Sequence, residues 1–106
     1  MKTFSDVERY EVSLIDGEGN KNHFIGRIRN FEFLSGWNKF IKERAKATEA
    51  KDNEKAIHIQ YEMMGFLFGV DTAIMKAYSN ETIGNIITDY AEFVEKKKTA
   101  QVKAEK

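Results

Sequence analysis

The spacing of apolar residues changes once along this chain, and that change limits what it can fold into. Tyr10, Val12 and Leu14 alternate with Glu11 and Ser13, and Phe24, Gly26 and Ile28 alternate with Arg27 and Arg29. A period of two with one polar side is the pattern of a half-buried strand. From residue 31 onward the apolar residues return at every third or fourth position, which is the helical period. Residues 7–30 are therefore expected to form two strands joined at Asp16-Gly17-Glu18-Gly19-Asn20, a stretch rich in residues that suit turns. A hairpin alone is marginal in water, so a helix must cover its apolar face.

Phe33, Leu34, Trp37, Phe40, Ile41 and Ala45 fill a stripe roughly 140° wide, which predicts a helix over 31–48. Asn30 is its candidate cap, and Gly36 weakens it by about 1 kcal/mol relative to Ala. A second helix is expected over 53–69, started by Asp52 or Asn53 and ended by Gly69. It is apolar on two sides. Ile57, Tyr61, Met64 and Phe68 share one face, Ile59, Met63 and Phe66 lie roughly opposite, and Lys55, His58 and Glu62 form a polar wedge. Such a helix is either central in the fold or covered by a partner.

Asp71 heads a short helix to about Tyr78. Ser79 or Asn80 caps a last helix whose stripe is Ile83, Ile86, Ile87, Tyr90 and Val94, with Phe93 at its margin. The chain contains no Pro, so ring clashes interrupt none of these helices. From Glu95 the sequence is Lys-rich and carries too little apolar surface to offset ordering. The expected fold is α+β, with an N-terminal β-hairpin packed on a bundle of three main α-helices plus one short helix. Residues 1–95 are expected as a single globular domain and 96–106 as a charged, frayed tail.

Lys and Arg total 17, as do Asp and Glu, and this balance gives no reason to expect nucleic acid or an anionic membrane as partner. There is no Cys, which excludes disulfides and thiolate metal sites. The opening residues lack the apolar core of a signal peptide and no stretch approaches a membrane span, so a cytoplasmic location is expected. Asp16, Glu18 and Asn20 have the spacing of the first calcium-loop ligands, but Lys21 stands where such a loop needs Gly and the flanks are strands. A hairpin turn accounts for them better. His23 and His58 lie on different elements with no ligand at metal spacing, and no phosphate loop or nucleophile elbow occurs. Neither a metal, a cofactor nor catalysis is expected. Arg27 and Arg29 are expected as edge-strand charges that discourage wrong pairing.

Binding of other polypeptides is the remaining class. Aromatic residues and Met concentrate between 31 and 68, and both are favoured at interfaces. Ile59, Met63 and Phe66 on the second helix, with Phe31, Trp37 and Phe40 on the first, are the candidates for an exposed hydrophobic patch. Such a patch would join copies of the chain or hold an amphipathic helix.

The second half of the chain carries a resemblance. Met63-Met64-Gly65-Phe66-Leu67-Phe68-Gly69-Val70-Asp71 is a helix ending in Phe-Gly. After a short link, Tyr78-Ser79-Asn80-Glu81-Thr82-Ile83 leads into a closing amphipathic helix and a Lys-rich tail. Across residues 55–100 this layout resembles the small tail assembly chaperones of long-tailed phages that infect Gram-positive bacteria. The Arg-bearing hairpin lies outside the resemblance. The resemblance implies binding to helices of the tape measure protein, self-association, and no catalytic residues. It also implies a place in the host cytoplasm and not in the finished virion. The alternative is a small phage or bacterial interaction module, for example an inhibitor of a host protein, acting through an exposed aromatic and Met patch.

Overall fold

The computed structural model describes residues 2–4 and 8–104, with side chains through Lys96. An antiparallel hairpin is formed by β1 (Glu11–Ile15) and β2 (Lys21–Ile25), and helices α1 (Phe31–Glu49), α2 (Asn53–Phe68), α3 (Thr72–Met75) and α4 (Asn80–Ala104) follow. The α+β architecture, with three long helices and one short one, is the one expected from the spacing of apolar residues.

The hairpin register places Val12 opposite Phe24 and Leu14 opposite Asn22. Its turn is built by Asp16, whose Oδ1 accepts from the N–H groups of Glu18 (2.9 Å) and Asn20 (3.0 Å). Gly19 supplies the left-handed residue at φ +87°. The strands are shorter than residues 7–30. After Ile25 the chain makes one more bond to its partner, from Gly26 N to Tyr10 O, and then turns away: Arg27 N donates 2.8 Å to Leu67 O. The last carbonyls of a helix lack intrahelical donors, and the hairpin's exit strand supplies one to α2. Val7, where the first strand was expected to begin, lies outside the described residues.

Each helix starts at a side-chain cap. Asn30 Oδ1 accepts from Phe33 N, Asp52 Oδ1 from Lys55 N, Asp71 Oδ1 from Ala73 N and Ser79 Oγ from Thr82 N. Caps of this kind contribute about 1 kcal/mol each. Gly69, at φ +66°, closes α2 with its N–H on Gly65 O. Gly65 is itself buried, and a Cβ there would meet Val70 O at 2.9 Å, so the link to α3 turns tightly over the helix end. The Phe-Gly stop thus uses two glycines, one for its conformation and one for its lack of a side chain.

Helix α2 is central. Phe66 packs against Phe33 and Phe40 of α1, whereas Phe68 packs against Tyr10 and Phe24 of the hairpin. Met63, Met64, Leu67, Met75 and Ile83 are the most completely buried large side chains. Burying each of them contributes roughly 1.5–3 kcal/mol before the entropy cost of ordering. The α4 stripe of Ile83, Ile86 and Tyr90 is buried as its periodicity predicted, with Asn85, Thr88, Asp89 and Glu92 outside.

The backbone of α4 is helical to Ala104, within the segment expected as a charged tail from 96. The segment after Phe93 lacks Gly and Pro and is rich in Lys, Glu and Ala, so its helix propensity is high. Side chains from 97 on, and Glu105 and Lys106 altogether, lie outside the described residues. Arg27 and Arg29, read as edge-strand charges, fall beyond β2 and lie on aromatic faces. The Arg27 guanidinium is 5.3 Å from the Phe66 ring centroid and that of Arg29 5.8 Å from the Tyr90 ring centroid. Their attraction to the ring quadrupole favours these positions over the rings, Arg27 at the surface and Arg29 half-buried.

Candidate functional site

Helix α2 packs against both α1 and α4, but α1 and α4 meet chiefly through Trp37 and Tyr90, whose rings are 5.3 Å apart and near perpendicular. Beyond that pair the two helices leave an open groove of about 880 Å³. Trp37, Ile41, Ala45 and Thr48 form the α1 wall, Ile87, Tyr90, Ala91 and Val94 the α4 wall, and Met63 of α2 reaches the floor. From Trp37 to Glu49 the α1 wall is about 18 Å long, or roughly three helical turns. Ile41 remains 46% exposed, so this apolar surface is not closed by the fold itself.

One end is shaped by polar contacts. Arg29 Nη1 donates 3.1 Å to the Tyr90 hydroxyl while lying over its ring. On the far side of Tyr90, Tyr10 donates 2.7 Å to Asp89 Oδ2 and meets the Tyr90 ring edge-on. Burial, then the hydrogen bond to Asp89 and its negative charge, push the Tyr10 phenol well above the ordinary tyrosine value. A phenol held protonated in this way anchors β1 to α4.

The six residues anticipated as one patch are placed in four different settings. Ile59 (4% exposed) and Met63 (1%) are buried, because α2 is covered on both of its apolar sides by elements of its own chain. The exposed patch on α2 is therefore corrected to core, with Met63 alone touching the groove. Trp37 is buried on all but its groove edge. Phe66 and Phe40 are partly buried in an aromatic cluster with Phe33, on the neighbouring face of α1 and under Arg27. Phe31, at 85% exposed, stands apart at the start of α1.

The groove itself was not anticipated, since its walls were assigned to ordinary core stripes. One signal pointed to it. At roughly 100° per residue, Arg44 falls inside the apolar stripe of α1, between the directions of Phe40 and Ile41. A charge at that position is unexpected if the whole stripe is to be covered by core. Arg44 is partly buried and lines the groove.

Little else has the makings of a site. His23 lies 3.5 Å from Glu11 and His58 2.8 Å from Glu62, both on wet surfaces. Among the described residues no group of three or more His, Cys, Asp or Glu is placed to hold a metal ion. The carboxylate of Asp16 is occupied by the backbone donors of its own turn, which lower its pKa, the bond from Asn20 foremost. Among the described residues no helix is long and apolar enough to cross a membrane. Comparison with protein-family models, curated proteins and solved structures finds no match.

Proposed function

We propose that this chain is a non-catalytic polypeptide-binding protein that receives an amphipathic helix in the groove between α1 and α4. One observation carries the reading: two helices that share a central neighbour are held apart over an open apolar surface about three turns long. Recognition of helices by such grooves relies on apolar anchors at i, i+3, i+4 and i+7 of the guest. The groove offers Trp37, Ile41, Ile87 and Val94 to those anchors.

The specific role proposed is that of a phage tail assembly chaperone. Its client is the tape measure protein, whose long helices would aggregate through their apolar stripes unless covered. The layout of residues 55–100, a Phe-Gly stop followed by a closing helix, supports this role. Several copies along one client, with self-association between them, would supply avidity without a tight single site. The protein would act in the host cytoplasm during assembly and be absent from the finished virion. Phe31, exposed and with no ring contact among the described residues, favours a second reading, a small interaction module that binds a host protein through that residue.

Co-expression with a helical tape measure fragment tests the proposal. The fragment is expected to become soluble with this protein and to precipitate with an Ile41→Asp variant that retains its helical circular-dichroism spectrum. A fragment equally insoluble with and without the protein refutes the chaperone role.

A further inference from the structure

The groove carries more than apolar surface. Arg29 and Arg44 line it, and among the described residues neither has a carboxylate within ion-pairing distance. Among the described residues, Arg29 is satisfied by the hydroxyl and ring of Tyr90. Arg44 is partly buried against the apolar wall, and its guanidinium has no side-chain partner among the described residues. Two carboxylates also line the groove, but they do not cancel the arginines. Glu95 is already engaged in an interaction of its own, and Glu49 is exposed in the last turn of α1, where water screens it. The charge that a guest would further desolvate is therefore that of Arg44.

Covering a guanidinium without pairing it is costly, whereas covering it with a carboxylate gives a strong charge-assisted bond. We infer that the groove selects acidic amphipathic helices: the guest lays its apolar stripe on Trp37, Ile41 and Ile87 and sets Glu or Asp side chains bordering that stripe against Arg44 and Arg29. The inference rests on the helix-binding reading and specifies its client. It also explains why Arg44 lies within an apolar stripe: its aliphatic stem continues the wall and its head marks the polar border.

Two synthetic amphipathic peptides of about 18 residues test it, long enough to form helix on binding. Both carry Leu and Phe at i, i+3, i+4 and i+7; one borders that stripe with Glu, the other with Lys. The Glu peptide is expected to bind about tenfold tighter or better at low salt, the advantage shrinking as salt rises. Arg44→Gln is expected to erase the preference and Arg44→Glu to reverse it. Lys39→Glu, an exposed change on α1 outside the groove, is expected to leave it intact. Circular dichroism establishes that each variant is folded.

Equal binding of both peptides, unaffected at Arg44, overturns the acidic preference and leaves helix binding standing. Failure of both peptides to bind overturns the helix-binding reading as well. An oligothymidine strand that binds more tightly than the Glu peptide at the same ionic strength overturns the inference in favour of nucleic acid. A dimer that is lost in Ile41→Asp and that the Glu peptide cannot dissociate overturns it in favour of a second copy as occupant.

Discussion

Phe66 occupies the space that a side chain at residue 36 would need: a Cβ on Gly36 would lie 2.5 Å from Cζ of Phe66. The ring cannot retreat easily, because Phe33 stacks on it at 5.1 Å, Phe40 meets it at 5.5 Å, and Arg27 covers it. Gly36→Ala would gain about 1 kcal/mol of helix propensity, but overpacking of this kind costs roughly 1–3 kcal/mol. A net loss of about 1 kcal/mol is expected, read as a lower midpoint in urea unfolding. A stabilised variant would mean that the ring swings out.

Tyr10→Phe removes the donor to Asp89 while leaving the ring. Asp89 is exposed and water can replace the lost bond, so the cost is expected at about 1 kcal/mol, below the roughly 1.5–3 kcal/mol typical of a bond to a charged group. The sign with pH follows from the raised phenol value in the folded state. Stability from the protonated phenol is complete below the ordinary tyrosine range and is lost as pH rises above about 10. Ultraviolet titration of the folded protein is expected to show an ionisation step above the ordinary tyrosine range that is absent in Tyr10→Phe and in the urea-unfolded chain.

Asp16 follows the opposite sign. Its carboxyl is held below the ordinary carboxylate range by its turn, Asn20 N–H first, so the charged form supports the hairpin above that range. This support is lost as pH falls through the folded value. Carboxyl NMR titration is expected to place its midpoint below that of a free Asp side chain, and Asp16→Ala is expected to accelerate amide exchange in β1 and β2. Addition of calcium is expected to leave the spectrum of the turn unchanged.

Phe31 provides the test for self-association. If copies join through the most exposed helical aromatic, light scattering should show a concentration-dependent mass that falls to that of the monomer in Phe31→Ser. The side chain touches little of the core, so the melting temperature is expected to be unchanged. A mass that never exceeds one chain would remove self-association from the proposed function.

What could be read from the sequence was local. Asn30, Asp52, Asp71 and Ser79 act as caps because capping depends on residues three or fewer positions away. Alternation about Tyr10, Val12 and Leu14 identified the buried face of β1 for the same reason. Tertiary placement was harder to read. A helix apolar on two sides is compatible with an exposed patch or a central position, and periodicity does not distinguish them. Periodicity alone therefore assigns Ile59 and Met63 to a surface that α2 does not present. Arg27 and Arg29 alternate like edge charges, and only the fold brings Phe66 and Tyr90 beneath them. The groove depends on where α4 diverges from α1, a relationship between residues far apart in the chain.

The position of Trp37 makes the groove self-reporting. It is the single tryptophan of the chain, set at the edge of the wall with Tyr90 against its ring. Whatever enters the groove must change the solvent and the quenching groups around this one indole, whereas events at the hairpin turn or at Phe31 should leave it undisturbed. The unlabelled protein therefore carries its own fluorophore at the place in question, and a titration followed by its emission would separate occupancy of the groove from binding elsewhere.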